Sequence, residues 1–377
     1  MELLTLILFI IGFVLLISGA EFLVRGASSL AIAIGISPLV VGLTVVAFGT
    51  SAPELAVTIQ STYAGQSDLA VGNIVGSNIA NILLVLGLAG LYGVLLVDKQ
   101  LLRLELPLMV GASVALWLMG LDGTISHIDG IILFAVGITY TTYVIRKSRK
   151  QVKADKAAAT HEADISVTPV PGASHYVTQI GLVLLGLVML VLGSRWLIDG
   201  AVAVARLLGV SELVIGLTII AVGTSLPEIA TSIIASIKKK GDIAVGNAVG
   251  SNIFNIVMVL GLGSAVSPAG IGVSPLAIRS DIPIMIAVAI IGIPIFYTRY
   301  RIDRWEGAIL TLYYIIYTIY LFLSATQNPA SDTFTAIITT LVLPITGLII
   351  LVSAIRYYFH SRNTPPMISK TAPPSQN

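Results

Sequence analysis

Two acidic residues, Glu54 and Glu228, stand inside otherwise apolar stretches of the chain, and each directly follows a proline. The surrounding segments read TVVAFGTSAPELAVTIQSTYAGQSDLAVGNIVGSNIAN at 44–81 and TIIAVGTSLPEIATSIIASIKKKGDIAVGNAVGSNIFN at 218–255, always 174 positions apart. From 35–87 to 209–261 the copies align without a gap, and about 30 of 53 positions are identical. The chain therefore contains an internal duplication that keeps an unusual acid twice.

The two prolines predict a break in each surrounding helix, because proline lacks an N–H group and clashes with the carbonyl four residues earlier. The Gly-Thr-Ser run ahead of each proline tolerates unwinding. Carbonyls freed at membrane depth persist only where they line a cavity or bind a ligand. Hard oxygen donors adjoin these carbonyls, namely Thr50, Ser51 and Glu54 with their counterparts Thr224, Ser225 and Glu228. A carboxylate with carbonyls and hydroxyls suits Na⁺ or Ca²⁺.

The second half of each motif adds amides and hydroxyls four residues apart, which places them on one helical face. They are Asn73, Ser77 and Asn81 in the first copy and Asn247, Ser251 and Asn255 in the second. For Asn73 and Asn247, hydrogen bonding between helices and ligation of an ion are both open. The glycines Gly72, Gly76, Gly246 and Gly250 are interpreted as packing positions that allow close helix approach. Asp68 and Asp242 stand at span starts and are interpreted as helix caps, with ion recruitment as the alternative.

The composition places these motifs in a membrane. Hydrophobic residues make up 56% of the chain, charged residues 11%, and the mean hydropathy is +0.97, which excludes a soluble globular protein. Cysteine is absent, so no disulfide or thiolate metal site is expected. Apolar runs of about 20 residues, each long enough to cross a bilayer, predict eleven spans at 3–24, 36–62, 69–95, 104–121, 125–145, 177–203, 210–236, 243–266, 280–298, 304–325 and 333–355.

The basic residues predict the orientation of these spans. With the N-terminus outside, 18 of the Lys and Arg residues fall on the inner side and 3 on the outer side, so the topology is N-out and C-in. Five spans in each half mean that the second half enters the membrane upside down, which is the inverted-repeat pattern of secondary transporters. The predicted units are a first five-helix repeat (1–145), a solvated cytoplasmic linker (146–176), a second repeat (177–325), and an additional helix with a disordered tail (326–377).

The charge of the pocket suggests a mechanism. By this topology Glu54 and Glu228 are the only carboxylates deep inside spans, and each costs at least about 3 kcal/mol at the bilayer centre. One Ca²⁺, two Na⁺ or two H⁺ would neutralise the pair, whereas an empty site stays charged and resists reorientation. This constraint predicts an antiporter, because a channel does not need it.

At these residues the sequence resembles the cation/Ca²⁺ exchanger superfamily, in particular prokaryotic sodium/calcium exchangers, whose signature is GTS-x-PE followed by GN-x-VGSN-I-x-N. The resemblance covers the ten core spans and implies Glu54 and Glu228 as central cation ligands. It further implies carbonyls of Thr50 and Thr224, side-chain oxygens of Ser51, Ser225, Ser77 and Ser251, outer Na⁺ sites completed by carbonyls of Ala47 and Ala221, and Asn81 and Asn255 at the border of the pocket.

Two features depart from that family pattern. Some prokaryotic relatives carry Asp where this chain has Asn255, so the pocket has one ionisable group fewer. Acid at that position also accompanies K⁺ co-transport in a related branch, which argues against K⁺ dependence here. The eleventh span is an addition to the ten-span core.

The sequence thus predicts a Ca²⁺/Na⁺ antiporter of the inner membrane that works by alternating access. A Ca²⁺/H⁺ antiporter is the alternative within this class, and a cation channel is the alternative outside it. No nucleophile–base pair, His cluster or phosphate loop points to an enzyme. The expected partners are the transported Ca²⁺ and Na⁺ (or H⁺) and the lipid bilayer. We expect no prosthetic group, no nucleic acid and no obligate protein partner.

Overall fold

The computed structural model describes residues 3–162, 173–209, 221–297 and 300–342, and a few single positions (215, 219, 344, 345, 347 and 348). The helices are α1 (Leu3–Ile34), α2 (Pro38–Thr50), α3 (Ala52–Tyr63), α4 (Ser67–Tyr92), α5 (Leu101–Asp122), α6 (His127–Glu162), α7 (Ala173–Leu207), α8 (Ala221–Thr224), α9 (Leu226–Ile237), α10 (Gly241–Val266), α11 (Ala277–Tyr297), α12 (Arg304–Ala325) and α13 (Ala330–Val342). The strands are β1 (Leu95–Leu96), β2 (Thr124–Ile125), β3 (Ile271–Gly272) and β4 (Arg301–Ile302).

The long helices have the length and apolarity of membrane spans. In the described part of the chain, eight helices can cross a bilayer, and nine when α2 and α3 count as one bent span. The prediction of an all-helical, multi-pass membrane protein is therefore confirmed. The predicted spans 210–236 and 333–355 include residues outside the described part. Within the described part they are represented by α8 and by the shorter apolar helices α9 and α13. The count of eleven stays a prediction, and the tail after Arg362 also lies outside the described residues.

Helices α1 and α7, the first of each repeat, cross along paired glycines. An added Cβ at Gly12 would come within 2.9 Å of the Gly193 carbonyl oxygen, and one at Gly19 within 2.8 Å of the Gly186 carbonyl oxygen. Residue numbers therefore fall along α7 as they rise along α1, so the two helices run antiparallel. Equivalent helices that point in opposite directions are what inverted repeats require.

Two short sheets connect loops of different repeats. Strand β1 pairs antiparallel with β4, and β2 pairs antiparallel with β3. Because α5 runs from β1 to β2 and α11 runs from β3 to β4, the two helices lie antiparallel to each other. Loops that the charge pattern assigns to the same side of the membrane are thus joined in the structure. The absolute orientation, N-out and C-in, stays a prediction.

The segment predicted as a solvated linker is partly helical. Helix α6 continues without interruption to Glu162, and α7 already begins at Ala173. Lys, Arg, Ala, Gln and Glu dominate the stretch RKSRKQVKADKAAATHE at 146–162, and these residues have high helix propensity. The polar composition therefore marks an extension of the helix, while the positions between the two helices lie outside the described residues.

Several spans contain π-helical turns that the sequence analysis did not predict. In α4 the wide turn covers Asn81–Val85, and in α10 it covers Asn255–Leu260. Helices α5 and α11 begin with such turns, at Leu101–Glu105 and Ala277–Asp281. Turns of this kind are often found at functional sites. In α4 and α10 they begin at the asparagines predicted to border the pocket.

Candidate cation site

The predicted helix breaks are present in both repeats. Helices α2 and α3 meet at an angle of 44°. Ser51 at this junction has φ −80° and ψ 8°, and Ser225 between α8 and α9 has φ −87° and ψ 5°. Pro53 and Pro227 lie in the first turn of the following helix, where the missing N–H has no intrahelical partner to lose. Each acid thereby stands in a first helical turn, where backbone N–H groups favour a negative charge.

The two acids belong to one buried cluster. Glu54 and Glu228 are each 1% exposed. Ser77 Oγ donates to Glu54 Oε1 at 3.3 Å, and Ser51 Oγ donates to Glu228 Oε1 at 3.5 Å. Because Ser51 lies one helical turn before Glu54, its bond to Glu228 brings the carboxyls of the two repeats together. The structure therefore places both acids inside the protein and not against lipid.

Several buried oxygen atoms of this cluster have no hydrogen-bond partner within the described protein. They are Glu54 Oε2, Glu228 Oε2, Ser225 Oγ, Ser251 Oγ, Asn81 Oδ1 and Asn255 Oδ1. These six belong to residues that the sequence assigns to the site, and several buried polar atoms outside the predicted site also have no partner among the described residues. Buried polar groups are normally satisfied, so unpartnered oxygens on both acids and on four other predicted site residues fit the donor chemistry of a hard cation.

The amides of Asn73 and Asn247 act as hydrogen-bond donors. Asn73 Nδ2 donates to the Glu54 carbonyl oxygen at 3.2 Å and to Thr58 Oγ1 at 3.2 Å. Asn247 makes the equivalent contacts to a carbonyl and a hydroxyl of the second repeat, at 3.4 Å and 3.0 Å. Both residues thus fasten the helix that follows the break to its neighbour. Ligation of an ion by either amide stays a prediction.

Thr50 connects the two repeats. Its Oγ1 donates to Asn247 Oδ1 at 3.1 Å and to the Ala47 carbonyl oxygen at 3.4 Å. The backbone N–H four residues after Ala47 also donates to that carbonyl, at 3.0 Å. The Ala47 carbonyl, predicted to complete an outer Na⁺ site, is therefore already hydrogen-bonded in this structure. Ala221 and Thr224 are the first and last residues of α8, and their role as ligands stays a prediction.

The glycines of the second motif lie against α2. An added Cβ at Gly246 would come within 2.8 Å of the Leu39 carbonyl oxygen, and one at Gly250 within 2.8 Å of the Leu43 Cα and carbonyl oxygen. These contacts support the packing interpretation for the second copy. The segment equivalent to α2 lies largely outside the described residues, which leaves the partners of Gly72 and Gly76 untested.

The capping interpretation of Asp68 and Asp242 is wrong. No side-chain capping hydrogen bond is present at the start of α4 or of α10, whose N-cap residues are Gln66 and Lys240. Asp68 is exposed instead, on an open cleft of about 710 Å³ that Ser274 also lines. The sequence position favoured a cap, but the chain enters the helix with no acidic side chain folded back onto it.

Sequence reasoning missed two buried asparagines, Asn78 and Asn252, which are 2% and 3% exposed. Their side chains bond across the boundary between α4 and α10. A signal was available, because both occur in the GSN triplet of the duplicated motif, 174 positions apart.

A third buried carboxyl was missed as well. Glu105 in the opening turn of α5 is 0% exposed, and its Oε1 accepts from Gln100 Nε2 at 2.9 Å. Glu105 lies at the start of its span, so the prediction that Glu54 and Glu228 are the carboxylates deep inside spans is not affected, but burial within the protein extends to further acids. The signal was the recurrence of ELPLM at 105–109 as DIPIM at 281–285. In both copies an acid stands two residues before a proline.

Comparison of the sequence with known protein families gives a match over most of the chain. Residues 4–146 and 178–323 match the sequence profile of the family described as sodium/calcium exchanger protein. These two blocks cover well over half of the 377 residues and include both copies of the duplicated motif.

Individual relatives show the same similarity. Inner membrane protein YrbG of Escherichia coli (strain K12) is 39% identical over 318 residues, which are 84% of this chain and 96% of the relative. Sodium/calcium exchanger MaX1 of Methanosarcina acetivorans is 29% identical over 344 residues, 84% of this chain and 98% of the relative. A solved structure of the sodium-calcium exchanger NCX_Mj superposes with a TM-score of 0.71 at 29% identity, covering 84% of this chain and 98% of that chain.

Proposed function

The chain belongs to the sodium/calcium exchanger protein family, and from this premise we propose that it carries Ca²⁺ out of the cell in exchange for Na⁺. Cation/Ca²⁺ antiport follows from the family membership itself, while the coupling to Na⁺ is our proposal. One relative is named an inner membrane protein and another a sodium/calcium exchanger. We assign the same membrane and the same pair of ions to this chain.

The observation that carries the proposal is the set of buried, unpartnered oxygens on Glu54, Glu228 and four other predicted site residues. Ca²⁺ takes six to eight oxygen ligands in flexible geometry, and two carboxyls with hydroxyl and amide oxygens supply that number and chemistry. The two carboxylates carry about two negative charges, which one Ca²⁺ or two Na⁺ would neutralise. With the charge neutralised, the protein can change the side of the membrane to which the site is open. The bare site carries a net charge that disfavours this reorientation.

In this proposal each pair of equivalent residues has one role. Glu54 and Glu228 are the central ligands. The remaining oxygens come from the carbonyls of Thr50, Thr224, Ala47 and Ala221, from the hydroxyls of Ser51, Ser225, Ser77 and Ser251, and from the amides of Asn81 and Asn255. The helix breaks make this possible, since they open the backbone beside both acids.

The test is ⁴⁵Ca²⁺ uptake into proteoliposomes that contain the purified protein. We expect an outward Na⁺ gradient at equal pH on both sides to drive uptake, and no uptake when choline replaces Na⁺. A pH gradient without Na⁺ is the second arm. Uptake driven only by that arm would replace Na⁺ by H⁺ as the coupling ion, and Ca²⁺ currents without any counter-ion would contradict antiport altogether.

A further inference from the structure

Asn78 and Asn252 form a reciprocal contact between the two repeats at the site. Asn78 Nδ2 donates to the Asn252 carbonyl oxygen at 3.3 Å, and Asn252 Nδ2 donates to the Asn78 carbonyl oxygen at 3.1 Å. A third asparagine joins on one side only, because Asn255 Nδ2 donates to Asn78 Oδ1 at 3.0 Å. The contact is therefore symmetric at the main chain and asymmetric at the side chains.

We propose that Asn78 is a positioning residue that fixes the amide of Asn255 with its carbonyl oxygen toward the cation. The inference rests on the proposed function and extends it, because it adds a residue that binds no ion yet decides which atom of a ligand the ion meets. It also explains why an amide and not a carboxyl serves at position 255 in this chain.

The orientation follows from one fixed acceptor. A main-chain carbonyl can only accept, so Asn78 must direct its NH₂ group at the Asn252 carbonyl. Its Oδ1 is then the atom left for Asn255, and Asn255 in turn must contribute its NH₂ group. The Asn255 Oδ1 is thereby turned away from Asn78, and it is buried without a hydrogen-bond partner in the described protein.

That free oxygen lies on the face that carries the other site oxygens. Asn255 follows Ser251 by four residues on α10, so the two share one helical face, and Ser251 Oγ is likewise buried without a partner. A free amide can turn by 180° and present its NH₂ group, which repels a cation. Turning the Asn255 amide would break its hydrogen bond to Asn78. This bond therefore disfavours the orientation that points the NH₂ group at the cation.

Asn252 offers a matched control within the same contact. It makes the equivalent bond to a main-chain carbonyl, and its amide also contacts a methionine sulfur, as that of Asn78 does. Its Oδ1, however, has no partner among the described residues, and no bond from Asn81 reaches it. Removal of Asn252 therefore breaks the same kind of helix contact without releasing an amide at the site.

A carboxylate at position 255 makes the proposal testable. Both oxygens of a carboxylate accept, so Asn255→Asp presents an oxygen to the cation whichever way it turns and has no NH₂ group for Asn78 to hold. Orientation by Asn78 then has no effect. A purely structural role of Asn78 would be equally important in both backgrounds.

The experiment is a double-mutant cycle read as ⁴⁵Ca²⁺ equilibrium binding to the purified protein. In the natural background, Asn78→Ala should weaken Ca²⁺ binding about tenfold, the scale usual for residues that orient metal ligands. In the Asn255→Asp background, Asn78→Ala should leave the affinity within about twofold or improve it. Asn252→Ala should change the affinity by the same factor in both backgrounds.

Each remaining outcome decides the matter. An equal loss from Asn78→Ala in both backgrounds would show that Asn78 acts only as a structural contact and would overturn the inference. If Asn78→Ala does not fold, Asn78→Ser, which can still donate to the main-chain carbonyl but cannot fix the amide, replaces it in the same cycle. Absence of Ca²⁺ binding by the natural protein would refute the proposed function instead, so the two failures are distinguishable.

Discussion

Replacing Glu54 with Gln is expected to abolish Ca²⁺ exchange while the protein stays folded. Gln has the same shape and still offers an oxygen to Ser77, but it removes one of the two charges that hold the cation. At an effective dielectric constant of about 20, a carboxylate about 4 Å from a unit charge contributes on the order of 4 kcal/mol, or about three orders of magnitude in affinity. Glu228→Gln should give the same loss. Initial rates of Na⁺-driven ⁴⁵Ca²⁺ uptake measure both.

The matched control for this prediction is Glu21→Gln. Glu21 forms an ion pair with Lys238 at 2.6 Å, with half of its side chain exposed, and exposed pairs of this kind contribute little to stability. Its loss should leave exchange close to that of the natural protein. Retained exchange in Glu54→Gln or Glu228→Gln, in a protein with an unchanged elution profile, would remove the paired acids from the mechanism.

The duplication explains why the centre of the site was predictable from the sequence. A proline preceded by a Gly-Thr-Ser run favours a helix break through local geometry alone, so the breaks before Glu54 and Glu228 could be predicted without knowledge of the fold, although α11 continues through Pro294. The two copies also had to meet, because neither can provide a closed pocket alone. Local rules and one repeat were sufficient to predict the two acids and the hydroxyls of Ser51 and Ser77 that donate to them.

Contacts between the repeats were not predictable in the same way. The bond from Ser51 to Glu228 joins residues 177 positions apart, and nothing in either local sequence specifies it. The same holds for Asn78 and Asn252, whose partners are main-chain atoms of the other repeat. The π-helical turns at Asn81 and Asn255 were not predictable either, since Ile, Leu, Val and Met also occur in the regular α-helical parts of other spans.

The hydrogen bonds of the site are distributed unequally between the repeats, although the residues are duplicated. Ser51 and Ser77 of the first repeat donate to the two acids, whereas Ser225 and Ser251 of the second have no partner in the described protein. A pair of inverted repeats can exchange such roles when the site turns from one side to the other. The sequence, which is the same in both states, can specify the donors but not which of them is engaged.

The last prediction concerns the contact that holds the second motif against α2. Gly250→Ala should reduce both stability and exchange, because its Cβ would come within 2.8 Å of the Leu43 main chain, which cannot move independently of the helix. Overpacking of this kind costs about 1–3 kcal/mol, and it would displace the helix that carries Ser251 and Asn255. The measurements are the thermal unfolding midpoint in detergent and the rate of Na⁺-driven uptake.

Gly111→Ala is the control, since it makes the same change at an exposed position of α5 with no atom within 4 Å. Equal behaviour of the two variants would mean that this helix contact is not needed for the site.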